Sequence, residues 1–196
     1  MSNAFLSSAC ALLLTLGVSL SAQANWYLDG ESSRLSFITT QNANVANVHR
    51  FLVLHGKVDP KGRAQLRIEM DSVNSDTPLR DERMRDTLFD FKQFPEAHIT
   101  AQIDLQPIND LASGAQLELR LPVTVSLRGK QHTYEAELLA TRLDERRFQV
   151  VTLEPLLVQA EDFGLQPELE TLRKLAGLSA ISFSVPVGAV LIFTAR

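Results

Sequence analysis

The sequence predicts an all-β protein built from antiparallel strands, and three observations support this prediction. Apolar and polar residues alternate with a period of two through most of the chain, which places one face of each segment in a core and the other in water. Short turn sequences separate these segments. Helical periodicity is confined to two stretches, residues 77–95 and 161–178.

The alternating segments number about eight. The clearest is "QLELRLPVTVSL" at residues 116–127, where six Leu and Val residues alternate with polar ones. Pro122 lies on the polar side of this segment, which indicates a sheet edge or a bulge, since proline cannot donate to a ladder. The other predicted strands are residues 34–41, 51–58, 64–70, 97–105, 131–141, 147–158 and 180–195.

The connections between strands are mostly short. "DPKG" at residues 59–62 and "RGKQ" at 128–131 are typical of hairpin turns, and "NDLASGA" at 109–115 is a longer loop. Hairpin-joined strands with one apolar side bury those sides together in a sandwich or a closed barrel. At about eight strands, a barrel interior is either filled by side chains or holds one small ligand.

The stretch "TPLRDERMRDTLFDFKQFP" at residues 77–95 predicts a short helix. Thr77 suits the N-cap, Pro78 suits the first helical position, and Met84, Leu88 and Phe91 form one apolar stripe. The mixed charges between them are typical of a solvated helix face. The second helix is predicted at residues 161–178, ending at a glycine.

The N-terminal 24 residues predict a cleaved signal peptide. The first 28 residues contain no Asp, Glu, Lys, Arg or His, and "ACALLLTLGVSL" is an apolar run of twelve residues. Ala22-Gln23-Ala24 forms a small-x-small cleavage site, and the run is shorter than the ~20 residues of a membrane-spanning helix. We therefore expect cleavage near Ala24 and a periplasmic protein of a Gram-negative bacterium. Cys10, the sole cysteine, lies in the signal peptide.

Composition fits one globular domain over residues 25–196. The chain has 196 residues, is 45% hydrophobic and carries a net charge of −4. It contains no basic tract, so nucleic acid is not an expected partner.

Five segments, in order along the chain, are similar to one known family. They are "WYLD" followed by "SRLSF", then "GKVD", then "RDERMRDTLFDFKQFPEAHIT", then "LPVTVSLRGKQH", and finally "AEDFGL" with "AGLSAISFSVPVGAVLIF". The sequence resembles the YceI-like proteins, periplasmic proteins that bind polyisoprenoids or other lipids. The resemblance implies a lipocalin-like, antiparallel eight-stranded β-barrel with one or two short helices. It also implies an elongated apolar cavity for an isoprenoid or acyl chain, such as a quinone tail.

The predicted ligand-binding residues are apolar side chains on the inner strand faces and on the first helix. We interpret four of these residues as a lid over the barrel mouth: Met84, Leu88, Phe89 and Phe91. A separate hypothesis is that Arg80 and Arg83 contact an anionic head group. The full predicted set is Leu35, Phe37, Leu66, Ile68, Met84, Leu88, Phe89, Phe91, Ile99, Ile103, Leu117, Leu119, Leu121, Val123, Phe183 and Val185.

Catalytic and metal-binding patterns are missing from the sequence. It contains no G-x-S-x-G, no H-E-x-x-H, no P-loop and no G-x-G-x-x-G, and the four histidines do not have metal-ligand spacing. We therefore expect a non-catalytic binding protein without metal or cofactor, either monomeric or homodimeric. Two alternatives stay open. One is a filled barrel that docks transiently to an inner-membrane partner, with residues 42–47 as the contact surface. The other is an enzyme acting on a lipid or quinone, with His132 or the Arg80–Asp81 pair as acid–base groups.

Overall fold

The structure is a computed structural model that describes residues 25–196. The predicted signal peptide and Cys10 lie outside the described residues. Within residues 25–196, no helix has the length and apolar character needed to cross a membrane.

Twelve β-strands and three short α-helices make up the described chain. The strands are β1 (Trp26–Leu28), β2 (Arg34–Gln41), β3 (Val45–Phe51), β4 (Leu54–Val58), β5 (Arg63–Glu69), β6 (Val73–Asn74), β7 (Glu96–Gln102), β8 (Gln116–Leu127), β9 (Lys130–Asp144), β10 (Arg147–Thr152), β11 (Leu156–Gln159) and β12 (Ser184–Ala195). The α-helices are α1 (Pro78–Arg83), which continues as a π-helical turn over Met84–Phe89, α2 (Gln106–Asn109) and α3 (Gln166–Leu175). Met70–Ser72 and Ala160–Phe163 form 3₁₀ turns.

The strands close into a barrel with eight positions around its wall. The hydrogen-bonded order is β1-β4-β5-β7-β8-β9-β10-β12, and β1 pairs back onto β12. Trp26 joins the two ends of this circuit, since it lies opposite Val58 on one side and Ala195 on the other. Three of the remaining strands extend these positions lengthwise: β2 continues β1 along β12, β3 continues β4, and β11 continues β10. The two-residue β6 pairs with the end of β3. The predicted antiparallel eight-stranded barrel is thus confirmed.

Three predicted elements are each divided in the structure. The predicted strand at 51–58 is divided between β3 and β4. The predicted strand at 147–158 breaks between β10 and β11, next to Pro155, which has no N–H for a ladder. The predicted helix at 161–178 is divided at Gly164, which has a φ of 63° and ends the 3₁₀ turn.

Pro122 lies at a position of β8 that has a neighbouring strand on one side only. The ladder between β7 and β8 stops at the pair Ala101↔Val123, so Pro122 pairs with Glu135 of β9 and has no strand on its other side. Pro122 therefore has the edge-like position that its place in the sequence predicted.

Helices cover both ends of the barrel. We call the end that carries α1, the π-helical turn and α3 the upper end, and the end that carries α2 and the β4–β5 turn the lower end. The β4–β5 turn packs closely against the backbone of Ile103. A Cβ on Gly62 (φ 77°) would collide with the carbonyl oxygen of that residue. Gly114 (φ 82°) has the same backbone conformation in open space.

Candidate ligand-binding cavity

The lower half of the barrel contains an apolar cavity of about 170 Å³. Four inward-facing alanines on different strands make this space, because their side chains do not reach the middle of the barrel: Ala64, Ala101, Ala136 and Ala189. Larger apolar side chains complete the wall: Trp26, Leu35, Val58, Leu66, Ile99, Ile103, Leu105, Ile108, Leu121, Val123, Leu138, Phe148, Val150, Leu156, Val187, Leu191 and Phe193.

The cavity runs along the barrel axis. On β12 the alternate residues Val187, Ala189, Leu191 and Phe193 all line it, as expected from the period of two in a strand. At about 3.3 Å per residue, this wall extends for about 20 Å. The cavity is therefore long relative to its width and suits a narrow, extended guest.

Aromatic rings and helix α2 bound the cavity at the lower end. The rings of Trp26 and Phe148 meet edge to face with centroids 4.7 Å apart. Leu105 and Ile108, at the start and within α2, are buried against the same pair. Trp26 is the single tryptophan of the chain, so it is a natural reporter of what the cavity contains.

Aromatic packing fills the barrel above the cavity. Phe37 stacks on Phe51 with centroids 5.4 Å apart, and Phe51 meets Phe89 at 5.7 Å. Met84 and Leu88 of the π-helical turn are buried in the same core. The barrel is thus hollow in its lower half and filled in its upper half.

Thr152 adds a hydroxyl to the largely apolar wall. It lies in the gap on one side of β12 between the end of β10 and the start of β11, where Ala189 has no strand partner on that side. The Thr152 Oγ1 accepts a hydrogen bond from the Ala189 N–H at 3.2 Å. This bond satisfies a backbone donor and leaves the hydroxyl hydrogen of Thr152 available to an acceptor.

The structure separates the sixteen predicted ligand-binding residues into three groups. The cavity wall includes Leu35, Leu66, Ile99, Ile103, Leu121 and Val123. The filled upper core includes Phe37, Ile68, Met84, Leu88, Phe89, Phe91, Phe183 and Val185. The lower cluster around Trp26 includes Leu117 and Leu119. Contact of any of them with a lipid stays a prediction, as does the lid role of the π-helical turn.

Several cavity residues were not among those predicted. Phe148, Val150, Leu191 and Phe193 belong to strands that were predicted, and the alternation within those strands already placed these residues on one face. Trp26 had no such signal, because β1 is three residues long.

The upper end contains a buried histidine, His49. His49 is 1% exposed, and its Nε2 lies 2.8 Å from Thr39 Oγ1. Burial lowers the pKa of His49 to about 4, and the positive charge of Arg80 adds to this effect. His49 is therefore neutral at pH 7. Its Nδ1 has no hydrogen-bond partner among the described residues.

His132 and the Arg80–Asp81 pair, the predicted acid–base groups, do not line the cavity. His132 Nδ1 lies 3.4 Å from Asp162 Oδ1, and Tyr134 donates its hydroxyl to Asp162 Oδ2 at 2.6 Å. Burial and this bond raise the pKa of Tyr134. Asp81 is buried and accepts the Ser75 N–H at 2.7 Å, so it organises the start of α1.

A largely buried ion pair fastens α3 to the barrel. Arg128, in the β8–β9 turn, places Nη1 2.7 Å from Glu168 Oε1 on α3. The same nitrogen donates to the carbonyl of Leu88 at 3.2 Å, and the guanidinium lies over the ring of Phe94. One side chain thus ties together the turn, the π-helical turn and α3.

The fold and the cavity define the class: a closed antiparallel β-barrel with an internal apolar chamber. The family model described as YceI-like domain matches residues 26–192. The chain therefore belongs to the YceI-like family. In the parts of the chain that the structure describes, residues 25–196, no group of three or more His, Cys, Asp or Glu is placed to hold a metal ion.

Solved structures show the same architecture. A polyisoprenoid-binding domain from Saccharophagus degradans, implicated in plant cell wall breakdown, is 37% identical with a TM-score of 0.85, over 87% of this chain and 98% of that one. BcnA from Burkholderia cenocepacia is 18% identical with a TM-score of 0.63, over 84% and 98%. The YCEI protein of Campylobacter jejuni is 15% identical with a TM-score of 0.51, over 76% and 84%. The last two show the fold alone, and no curated protein matches the chain.

Proposed function

We propose that this protein is a non-catalytic carrier that holds a long apolar lipid, a polyisoprenoid or quinone-type chain, in the lower half of its barrel. The observation that carries the proposal is the apolar cavity of about 170 Å³, whose wall follows the barrel axis. Transfer of apolar surface from water into such a cavity is favourable without polar contacts, at about 0.8 kcal/mol per buried CH₂.

The similarity to the polyisoprenoid-binding domain from Saccharophagus degradans supports this ligand class. The placement of His132 and Asp81 supports a role without chemistry, because neither side chain reaches the cavity. The apolar run in the first 24 residues supports export to the periplasm with cleavage near Ala24.

The test begins with protein purified from its own host. Organic-solvent extraction followed by mass spectrometry is expected to yield about one isoprenoid or acyl lipid per chain, since the cavity has room for one narrow guest. The intact mass of the same sample is expected to begin at Asn25. An extract without lipid would reject the carrier function, and an intact mass that includes residues 1–24 would reject the cleavage.

The same preparation tests the alternatives. A membrane protein that co-purifies with a lipid-free barrel would favour docking over carriage. Chemical conversion of the extracted lipid by the purified protein, lost in His132→Ala, would favour an enzyme.

A further inference from the structure

Strands β7 and β8 separate at the lower end of the barrel. Their last pair is Ala101↔Val123, and both residues line the cavity. Below this pair, β7 stays with β5 as far as Gln102, and β8 stays with β9 as far as Gln116. Within residues 25–196, no strand lies on the β7 side of residues 116–122, a length of about 20 Å at about 3.3 Å per residue. The wall beside the cavity therefore lacks a hydrogen-bonded ladder here.

The chain that connects β7 to β8 covers this gap with its side chains. We call residues 104–113, which include α2, the α2 segment. Leu105 and Ile108 of this segment are buried and line the cavity. Leu117 and Leu119, on the uncovered part of β8, pack against the same apolar cluster. The α2 segment is therefore a part of the lower wall that side-chain packing holds in place.

Few hydrogen bonds join the α2 segment to the barrel. The residues on either side of it are fastened, since the Ile103 N–H donates to the Gly62 carbonyl at 2.9 Å and the Gly114 N–H donates to the Arg142 carbonyl at 2.7 Å. Among the described residues, a single hydrogen bond links the segment between these ends to the barrel, from Arg142 Nη1 to the Asn109 carbonyl at 2.9 Å. Segments held by few contacts and by exposed hydrogen bonds open locally at a low cost in free energy.

We infer that the α2 segment is the gate through which the lipid chain passes, and that Arg142 is its latch. Under the proposed function, on which this inference rests, the segment swings outward about its two fastened ends, Ile103 and Gly114. Leu105 and Ile108 then leave the wall, and the cavity opens to the outside between β7 and β8. Burial of these two side chains favours the closed state, so the gate opens transiently and its opening limits both uptake and release of the lipid.

The first test measures how fast delipidated protein takes up a brominated fatty acid and releases it to an excess of unbrominated fatty acid, with quenching of Trp26 as the signal. Arg142→Met removes the bond to Asn109. Both rate constants are expected to rise about fivefold, the factor for one hydrogen bond of ordinary net strength, and the Kd is expected to stay within about twofold. The matched control is Arg146→Met, at the same end of the barrel. Arg146 also donates to a backbone carbonyl, that of Ala195 at 3.4 Å, but this carbonyl lies outside the α2 segment, so both rates should match those of the wild type.

A cross-link tests the gate with Arg142 intact. Arg142 Nη2 donates to the Glu145 carbonyl at 3.3 Å, so Asn109 and Glu145 flank the same guanidinium, and both residues are exposed. In a Cys10→Ser background, Asn109→Cys with Glu145→Cys, joined by a short bismaleimide, is expected to slow uptake and release by roughly tenfold or more, because a tethered lid cannot open. Glu145→Cys alone, treated with the same reagent, should keep the rates of the wild type.

Three results would overturn the inference. One is unchanged rates in an Arg142→Met variant with normal circular dichroism, and another is a Kd that rises in step with its release rate. The third is a cross-linked protein that exchanges fatty acid as fast as it does before the cross-link. Failure of the proposed function gives a different result, in which the wild type takes up no apolar chain and Trp26 is not quenched; that result would reject the gate as well.

Discussion

Filling the cavity with a single side chain should remove ligand binding and spare the fold. Ala101 faces inward on β7, between Ala64 of β5 and Val123 of β8, and all three line the cavity. A cavity of about 150 Å³ in another protein accommodates a benzene molecule. In Ala101→Phe, the phenyl ring is therefore expected to occupy most of the 170 Å³ present here.

The size of the effect follows from what the ring displaces. A phenyl group takes the place of about six methylene-sized groups of a bound chain, or roughly 5 kcal/mol at about 0.8 kcal/mol each. Affinity changes about tenfold for every 1.4 kcal/mol, so the Kd should rise about three thousandfold. Stability should change by less than about 2 kcal/mol, since burial of the ring offsets the strain of packing it.

The assay uses the fluorescence of Trp26, which lines the cavity. Titration of delipidated protein with a brominated fatty acid should quench the indole in the wild type and leave it almost unquenched in Ala101→Phe. The control is Ala112→Phe, which adds the same ring to an exposed loop position and should bind as the wild type does. If Ala101→Phe bound within about threefold of the wild type while folding normally, the apolar chain would not occupy this cavity.

Three further predictions concern stability. Because burial lowers the pKa of His49 from 6.5 to about 4, the unfolded chain binds a proton that the folded protein does not as pH falls through this range. Chemical denaturation should therefore show a loss of about 2 kcal/mol between pH 7 and pH 5 that His49→Phe lacks. Arg128→Met leaves the carboxylate of Glu168 largely buried without its partner and should cost about 3 kcal/mol, most of it regained in Arg128→Met with Glu168→Leu. Gly62→Ala should lower Tm far more than Gly114→Ala, because only Gly62 faces a carbonyl at the Cβ position.

Each of these predictions has a result that contradicts it. An identical pH dependence in His49→Phe would show that this side chain does not titrate as described. A double variant at 128 and 168 that is no more stable than the single one would remove the argument from an unpaired buried charge. Equal losses of Tm at the two glycines would mean that the left-handed backbone, and not the collision with Ile103, destabilises the Gly62 variant.

Alternation predicted the barrel because every long strand has one face in the interior. "QLELRLPVTVSL" became β8 with its predicted bounds, and residues 34–41 became β2. The Asn-rich start of β3 was missed, because its first two residues, Val45 and Ala46, are both exposed and so leave no apolar alternation. The α2 helix is four residues long, too short for a helical period to show.

The site was predicted less well for a physical reason. Alternation shows that a residue faces inward, but it does not show how far along the axis the residue lies. Leu121 and Leu119 are both inward on β8, yet the first lines the cavity and the second packs in the lower cluster. The difference depends on the residues across the barrel, such as the alanines of other strands, and on Phe37, whose ring fills the upper half. Such contacts between distant parts of the chain have no local sequence signal.

The aromatic layer of the upper half limits how much of a long hydrocarbon chain the cavity can hold. A hydrocarbon that lies along the β12 wall reaches a fixed stop after about 20 Å. Under the proposed function, only the tip of a longer chain is shielded, and the remainder can leave the barrel only where Trp26, Phe148 and α2 move apart at the lower end. One barrel can then serve chains of many lengths, and the trailing part can stay in the bilayer that donates or receives the molecule, so that handover never requires the whole chain to cross water.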